Sequence, residues 1–486
     1  MGQIENLLQH SLPNVMRRVW NFERLFLEVP YANISLCTRI SGNISENELR
    51  RALEKVRTIH PLVGARVVFD SERNAWFSTA NVPGPILRVV PKQSDSQWLD
   101  EIVHEQSIPF DPSTGPLIRF VLIYTPEVSD FIVFAHHTIS DGESLAILTR
   151  DTLKHIADPQ LEEKVIFPPI LADYELKIPG NIVIKFIRRL IVDRYNRQWS
   201  KKRWFFDRED FLNIYTAFWQ RHTYKIVLLT LEKDETERLT ANCREHGITI
   251  GSAVTTAFIA AYRDVCGAFK GHQKIVHLPY DLRKRLDRPV GDVFCNFFTA
   301  FEFKFAYNSK KSFWQNAQTF HQKVRKKLDA RDIVGYAQEI ERFDPTLIDV
   351  LPSFTLHAKD VPEGFSRYDK LSAFAQDKNN VAFKISKRVI SAYPGTTNTN
   401  LGRLNFPETY GNLRLERMFW APSTGPNPLM LGGVGISGTT TFTLNYIEDT
   451  SGEETLRTAT LIKVRNRALE YLGFPEKISN AAFLDK

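Results

Sequence analysis

The chain has 486 residues, 43% of them hydrophobic and 24% charged, too long for one ordinary core and balanced like a globular protein rather than a fibrous or disordered one. No uninterrupted apolar run approaches the ~20 residues of a membrane-spanning helix, and the N-terminal MGQIENLLQHSLPNVMRR has no signal-peptide core, so a cytoplasmic location is expected. The net charge of +7 is local: residues 177–203 hold nine basic side chains and one acid, Asp193, which is not the spread basic face of a nucleic-acid binder. Four cysteines, Cys37, Cys243, Cys266 and Cys295, form no C-x-x-C pair; this disfavours a zinc cluster and fits a reducing compartment.

In chain order, residues 33–39 (NISLCTR) read as a strand. Ser45 and Glu48 follow at capping-box spacing, and Leu49, Ala52, Leu53 and Val56 recur at helical intervals. Residues 64–70 read as a strand and 95–104 as a short helix. Two more strands, 116–123 and 131–135, flank the turn-like TPEVSD. A helix is predicted from about Asp141 to Ala157, with Leu145, Leu148 and Leu153 on its apolar side. Ser140 and Glu143 stand at capping-box spacing before it.

After an irregular stretch, the basic segment places Ile182, Val183, Phe186, Ile187, Leu190 and Ile191 at helical intervals. The pattern restarts near Tyr224 with the strand YKIVLLT. A helix ending at Gly247, a small-residue-rich helix (251–265) and the strand KIVHLPYD come next. Phe313, Ala317, Phe320, Val324 and Leu328 mark another amphipathic helix. Several strands are expected beyond it, then a last helix over 453–472 stopped by Gly473 and Pro475. The expected division is 1–175, a basic amphipathic linker 176–223, and 224–486. Neither half alternates strictly βαβ, so the class is α+β with mixed sheets and flanking helices.

The stretch FIVFAHHTISDGESL (131–145) carries the chemistry. A buried strand ends in two histidines, and a tight loop leads into a helix. Adjacent residues at a strand end point to opposite sides, so one histidine faces a cleft while the other packs inward. The positive end of the helix favours a neutral imidazole, the form a general base requires. Asp141 either receives a cation and pins the loop or caps the helix. H-x-x-x-D-G arises by chance at roughly 0.03 per chain, and the preceding His lowers this to about one in a thousand. Three plainer readings compete. A histidine ending a core strand is commonly structural. His136, His137 and Asp141 as metal ligands would need diverging histidines to converge, with no H-E-x-x-H or H-x-H spacing. A serine triad lacks its G-x-S-x-G elbow.

HHTISDG resembles the HHxxxDG signature of the chloramphenicol acetyltransferase-like, CoA-dependent acyltransferase superfamily. That superfamily includes peptide-synthetase condensation domains, polyketide-associated acyltransferases and alcohol acetyltransferases. NFERLF with Glu23, LRRALEKVRTIHPLVGARV, PFDPSTGPLIRFVLI, PYDLRKRL, VGDVFCNFF and NTNLGRLNF resemble further segments, so the likeness spans nearly the whole chain. It implies two chloramphenicol acetyltransferase-like halves in a V, with a histidine in a tunnel between them. Carried over by position, His137 is the general base, His136 supports the site, and Asp141 fixes the loop by pairing with Arg283, with Arg285 as competitor. Gly142 permits close approach, and its amide faces the reacting carbonyl. Asn296, Ser437 and Thr439 are candidate tunnel contacts.

The resemblance further implies no metal and no tightly bound cofactor. The donor would be acyl-CoA or a phosphopantetheinyl acyl carrier protein, and the acceptor a small-molecule alcohol. The alternatives are amide formation on an amine, a non-catalytic carrier-protein binder, or a related cyclase or isomerase. The plant-type DFGWG motif is missing, which disfavours that group. With no adjoining carrier or adenylation segment, a free-standing, ester-forming monomer of natural-product or lipid biosynthesis is expected. The basic segment, with Trp199, Trp204 and Phe205, reads either as a linker helix or as a surface for an anionic membrane (182–205), a carrier protein or CoA phosphates.

Overall fold

The structure is a computed structural model that describes residues 14–169, 182–283, 290–328, 340–351, 353–450 and 456–478, without the side chains of 182–186 and 456. Arg285 and the first residues of the expected last helix, 453–455, lie outside the described residues.

The first half runs β1 (Val15–Arg18), α1 (Asn21–Arg24), β2 (Asn33–Ser41), α2 (Glu46–Ile59), β3 (Arg66–Phe69), β4 (Ala75–Ser78), β5 (Ile86–Pro91), α3 (Gln97–Gln106), β6 (Ile118–Tyr124), β7 (Val128–His136) and α4 (Gly142–Ala157). Helices α5 (Ile182–Lys201) and α6 (Arg208–Arg221) lead to β8 (His222–Leu231), α7 (Lys233–Glu245), α8 (Ile250–Cys266), β9 (Ile275–Asp281), β10 (Phe298–Lys304) and α9 (Phe313–Leu328). Four short helices follow: α10 (Pro345–Val350), α11 (Phe354–His357), α12 (Tyr368–Gln376) and α13 (Val381–Ser391). The chain closes with β11 (Thr396–Arg403), β12 (Thr409–Tyr410), β13 (Leu413–Ala421), β14 (Leu429–Ile436), β15 (Thr439–Asp449) and α14 (Leu456–Leu472).

Local rules explain the best-defined elements. Ser45 Oγ accepts from the Glu48 amide while Glu48 accepts from the Ser45 amide, the reciprocal capping box that the spacing predicts. Helix α2 then buries Leu49, Ala52, Leu53, Val56 and Ile59 on one stripe. Strand β7 is buried along almost its whole length because it is a central strand covered on both faces. The α4 cap differs from expectation. Asp141, not Ser140, is the N-cap, its carboxylate accepting from the Ser144 amide at 2.9 Å. Ser140 instead turns its hydroxyl back to the His136 carbonyl.

Two six-stranded mixed sheets form the lobes, in orders β12-β13-β2-β7-β6-β5 and β10-β9-β11-β14-β15-β8, with a small β1-β4-β3 sheet beside the first. The fold is α+β, as expected. The second sheet draws only on residues 222–449, but the first is not built from one half of the sequence alone. Strand β13 pairs antiparallel with β2 from Ala421↔Ser35 to Arg414↔Ser41, so the later part of the chain supplies the edge of the first sheet. The core follows that exchange: Met418, Phe419 and Trp420 pack in one cluster with Leu36, Val133 and Leu145.

The several strands expected after α9 are β11–β15, and before them lie four short helices that the sequence pattern does not assign. These four helices gather around Trp199 and Phe211 of α5 and α6, burying Leu347, Phe354, Leu371 and Ile385. The predicted basic helix is present as α5 and buries Val192 and Trp199. Among the described residues no helix is long and apolar enough to cross a membrane.

Candidate active site

The two histidines leave β7 as alternation requires, and their surroundings differ. His136 packs edge-on to Phe110, and its Nδ1 accepts from the Thr138 amide at 3.2 Å. Burial, reinforced by His137, Arg208 and Arg119, pushes its pKa down to about 3. It is a neutral, inward-facing ring.

His137 lines a cavity of about 750 Å³ between the lobes and is 8% exposed. Its Nδ1 lies 2.7 Å from the Ser140 carbonyl oxygen. A carbonyl only accepts, so Nδ1 carries the hydrogen and Nε2 keeps its lone pair. Among the described residues no hydrogen bond occupies Nε2. Phe26 and Phe298 hold the ring at centroid distances of 4.3 and 5.3 Å. Burial lowers its pKa, outweighing the Ser140 carbonyl and the Asp141 charge, which raise it. The arrangement presents an uncharged imidazole with one free basic nitrogen.

A buried ion pair from the other lobe fixes the loop beneath that ring. Arg283, just past β9, donates from Nη1 to Asp141 Oδ2 at 2.9 Å and from Nη2 to Asp141 Oδ1 at 3.1 Å. The same guanidinium reaches Asp281 at 2.7 Å and the carbonyls of Val293 and Cys295. Asp141 also accepts from the Phe297 amide at 2.8 Å. Burial raises the Asp141 carboxyl, but Arg283 and these amides outweigh it and hold the group below the ordinary range. Asp141 thus both caps α4 and receives the cation, the two roles the sequence left open.

Gly142 is closely packed by two side chains. A Cβ there would stand 2.7 Å from Leu401 Cδ2 and 2.8 Å from Trp420 Cζ2. Asn296 is fully buried and donates to the His137 carbonyl oxygen at 2.7 Å, so it braces the loop from behind rather than lining the cavity. Ser437 and Thr439 are not at the cavity. Ser437 occupies the β14–β15 turn at φ 50°, donating to the Leu415 carbonyl, and Thr439 donates to Ile436. The alternation there does mark a strand, but its turn meets β13 of the other sheet and does not line the cavity.

Two features of the site have no role assigned from the sequence, although Glu23 lies in the resembling segment NFERLF. Arg17 and Glu23 form a buried bidentate pair at 2.8 and 2.6 Å, and the Thr138 hydroxyl donates to the Glu23 carbonyl oxygen, so α1 clamps the histidine loop. Ile348 of α10 and Leu351 just past it, with Ile385, Val389 and Ile390 of α13, form an apolar wall of the cavity. The only sequence hint of that wall is the spacing within ISKRVI. Among the described residues no group of three or more His, Cys, Asp and Glu is arranged to hold a metal ion.

Two mixed-sheet lobes with a neutral histidine at their seam define an acyltransferase-type fold. A family model described as "Condensation domain" matches residues 10–175, and one described as "Phthiocerol/phthiodiolone dimycocerosyl transferase C-terminus" matches 221–354. The chain is a condensation-domain-like member of the chloramphenicol acetyltransferase-fold acyltransferase superfamily.

Among curated relatives, one of the linear gramicidin synthases of Brevibacillus parabrevis is 28% identical over 144 residues, 28% of this chain and 3% of that protein. Phosphinothricin tripeptide synthetase PhsC of Streptomyces viridochromogenes is 28% identical over 169 residues, 32% of this chain and 15% of that protein. The chain therefore spans a small part of the relatives it matches. Polyketide synthase associated protein 5 from Mycobacterium tuberculosis superposes with a TM-score of 0.58 at 14% identity, covering 95% of this chain and 98% of that one. Trichothecene 15-O-acetyltransferase from Fusarium sporotrichioides superposes at 0.60 with 13% identity, covering 94% of each. These likenesses establish the fold.

Proposed function

We propose that the protein transfers an acyl group from a CoA or carrier-protein thioester to a small nucleophilic acceptor by direct general-base catalysis. The observation that carries this reading is the free Nε2 of a neutral His137, facing the inter-lobe cavity while Nδ1–H is held by the Ser140 carbonyl. Nε2 takes the acceptor's proton as its heteroatom attacks the thioester carbonyl carbon. The carbonyl π electrons move onto oxygen, the tetrahedral adduct collapses, and the C–S bond breaks. The imidazolium then returns its proton to the thiolate. The Gly142 amide, at the first position of α4, is the candidate donor to the oxyanion. General-base help supplies about 10²–10⁴-fold, and positioning and oxyanion donors must supply the rest.

For the acceptor, an amine giving an amide is preferred. The half that carries the histidines matches the condensation model and synthetases, one of them a tripeptide synthetase by name. A hydroxyl acceptor giving an ester is the second reading, supported by the transferase model over 221–354. Incubation with a panel of acyl-CoA and acyl-carrier donors and matched amine and alcohol acceptors, read by mass spectrometry, separates the two. Product that survives alkaline hydroxylamine is the amide. Equal product from purified His137→Ala protein would sink the general-base reading in either case.

A further inference from the structure

The cavity opens through α13, and its mouth is greasy. Val389 and Ile390 line the cavity yet are 56% and 40% exposed, so the apolar wall runs out to solvent there. Ser386 and Ile385, one turn earlier, are buried and continue that wall inward. Around this lip, Lys384, Lys387 and Arg388 of the same helix are exposed. The neighbouring α5 packs against α13, and the Asn380 cap of α13 donates to the Lys202 carbonyl just past the end of α5. In α5, residues 187–191 are exposed without a break: Ile187, Arg188, Arg189, Leu190 and Ile191. Exposed aliphatics alone are ordinary on a protein surface. Five of them on two packed helices, interleaved with five cations and no acid within 187–191 or 384–391, are not.

We infer that the α5–α13 surface is a docking face for an anionic lipid bilayer, and that the cavity opens towards that bilayer. Charge complementarity and continuity with the apolar wall select this occupant. Cations draw the face to acidic headgroups, while the aliphatics seat at the acyl boundary. A carrier protein would use the same cations, but exposed Val389 and Ile390 at the lip would gain little from a polar partner. The inference about binding stands apart from the acyl-transfer reading, because vesicle association is measured without turnover. If the acyl-transfer reading also holds, an apolar substrate can pass from bilayer to cavity without crossing water.

The test is co-sedimentation of the full chain with phosphatidylcholine vesicles, with and without about one-third phosphatidylglycerol. The expected result is pelleting with the anionic vesicles only, weakened at least roughly ten-fold by Lys387→Glu/Arg388→Glu and by Leu190→Glu/Ile191→Glu. Far-ultraviolet circular dichroism of both variants should match wild type. Wild-type protein that stays in the supernatant overturns the inference. So do charge-reversed and aliphatic-to-acid variants that pellet like wild type. Displacement of the protein from anionic vesicles by salt, with binding lost in step with the phosphatidylglycerol fraction, supports it.

Discussion

Arg283 and Asp141, 142 residues apart in the chain, meet through two hydrogen bonds, Nη1 to Oδ2 at 2.9 Å and Nη2 to Oδ1 at 3.1 Å. Both are buried, and the aspartate also holds the first turn of α4. Removing one partner leaves a buried charge unpaired, at a cost of about 3–5 kcal/mol. Arg283→Met should therefore lower the urea midpoint by that equivalent and broaden loss of activity to all substrates. Asp141 has a folded pKa below its unfolded value near 3.9. Its contribution is complete above pH ~4 and lost as pH falls through the folded pKa. The Asp141→Asn protein should lack that part of the acid transition; an unchanged acid profile would contradict the pairing.

His137→Ala should leave the far-ultraviolet spectrum intact and cut turnover by about 10²–10⁴-fold. The free ring titrates near 6.5, and burial moves it lower here. The active form is the neutral one, so the acid limb of kcat/KM should lie below pH 6.5, with no loss between 6.5 and 8. An acid limb centred above 6.5 would mean that a charged partner governs the ring instead.

His136 gives a stability prediction of the same sign. Its unfolded pKa is near 6.5 and its folded value about 3. Between those values the unfolded chain binds the extra proton, so stability rises with pH across the window and is fully present above 6.5. The shift corresponds to something on the order of 4–5 kcal/mol lost on descending to pH 3. His136→Gln should flatten the pH dependence of the urea midpoint between pH 6 and 4, whatever it does to the midpoint at pH 7.

How much of this is legible in the sequence depends on how local each feature is. The loop from His136 to Gly142 is contiguous, and its strand-to-helix setting can be read from periodicity. Spacing alone puts the helix cap one residue early, because Ser140 and Asp141 are both good caps and only the cation from Arg283 decides between them. Arg283 itself is reached by resemblance, since no local pattern predicts a partner 142 residues away. Strand β13 reads as a strand anywhere; pairing with β2 rather than within its own half is a long-range choice that alternation does not encode. Helices α10 and α11 are six and four residues long, shorter than the window on which helical periodicity works. Yet α10, with α13, supplies the cavity wall.

Gly142→Ala tests the close approach at the head of α4. The new methyl would meet Leu401 and Trp420 at under 3 Å, and both are side chains packed against the site. Overpacking of this kind costs about 1–3 kcal/mol. We expect lower thermal stability together with a fall in kcat, since relieving the clash displaces the α4 amide from the cavity. Gly142→Ala/Leu401→Ala should recover part of the stability but less of the rate, because Trp420 remains. Full recovery of both would reduce the glycine to a packing role.

The last prediction concerns the apolar wall. Ile348 is buried at the base of a cluster with Phe22 and Ile340, against which Phe26 and Phe298 pack, the two rings that flank His137. A larger side chain at 348 fills cavity space next to the reacting centre without touching the imidazole or its hydrogen bond. If the acyl group lies against this wall, Ile348→Phe should leave short-chain donors near wild-type rates. Longer donors should lose kcat/KM by about ten-fold for each two methylenes excluded, taking about 0.8 kcal/mol per buried CH₂. Ile348→Ala should shift the optimum the other way. A uniform loss across all chain lengths in both variants would place the acyl group elsewhere and leave this wall to the acceptor.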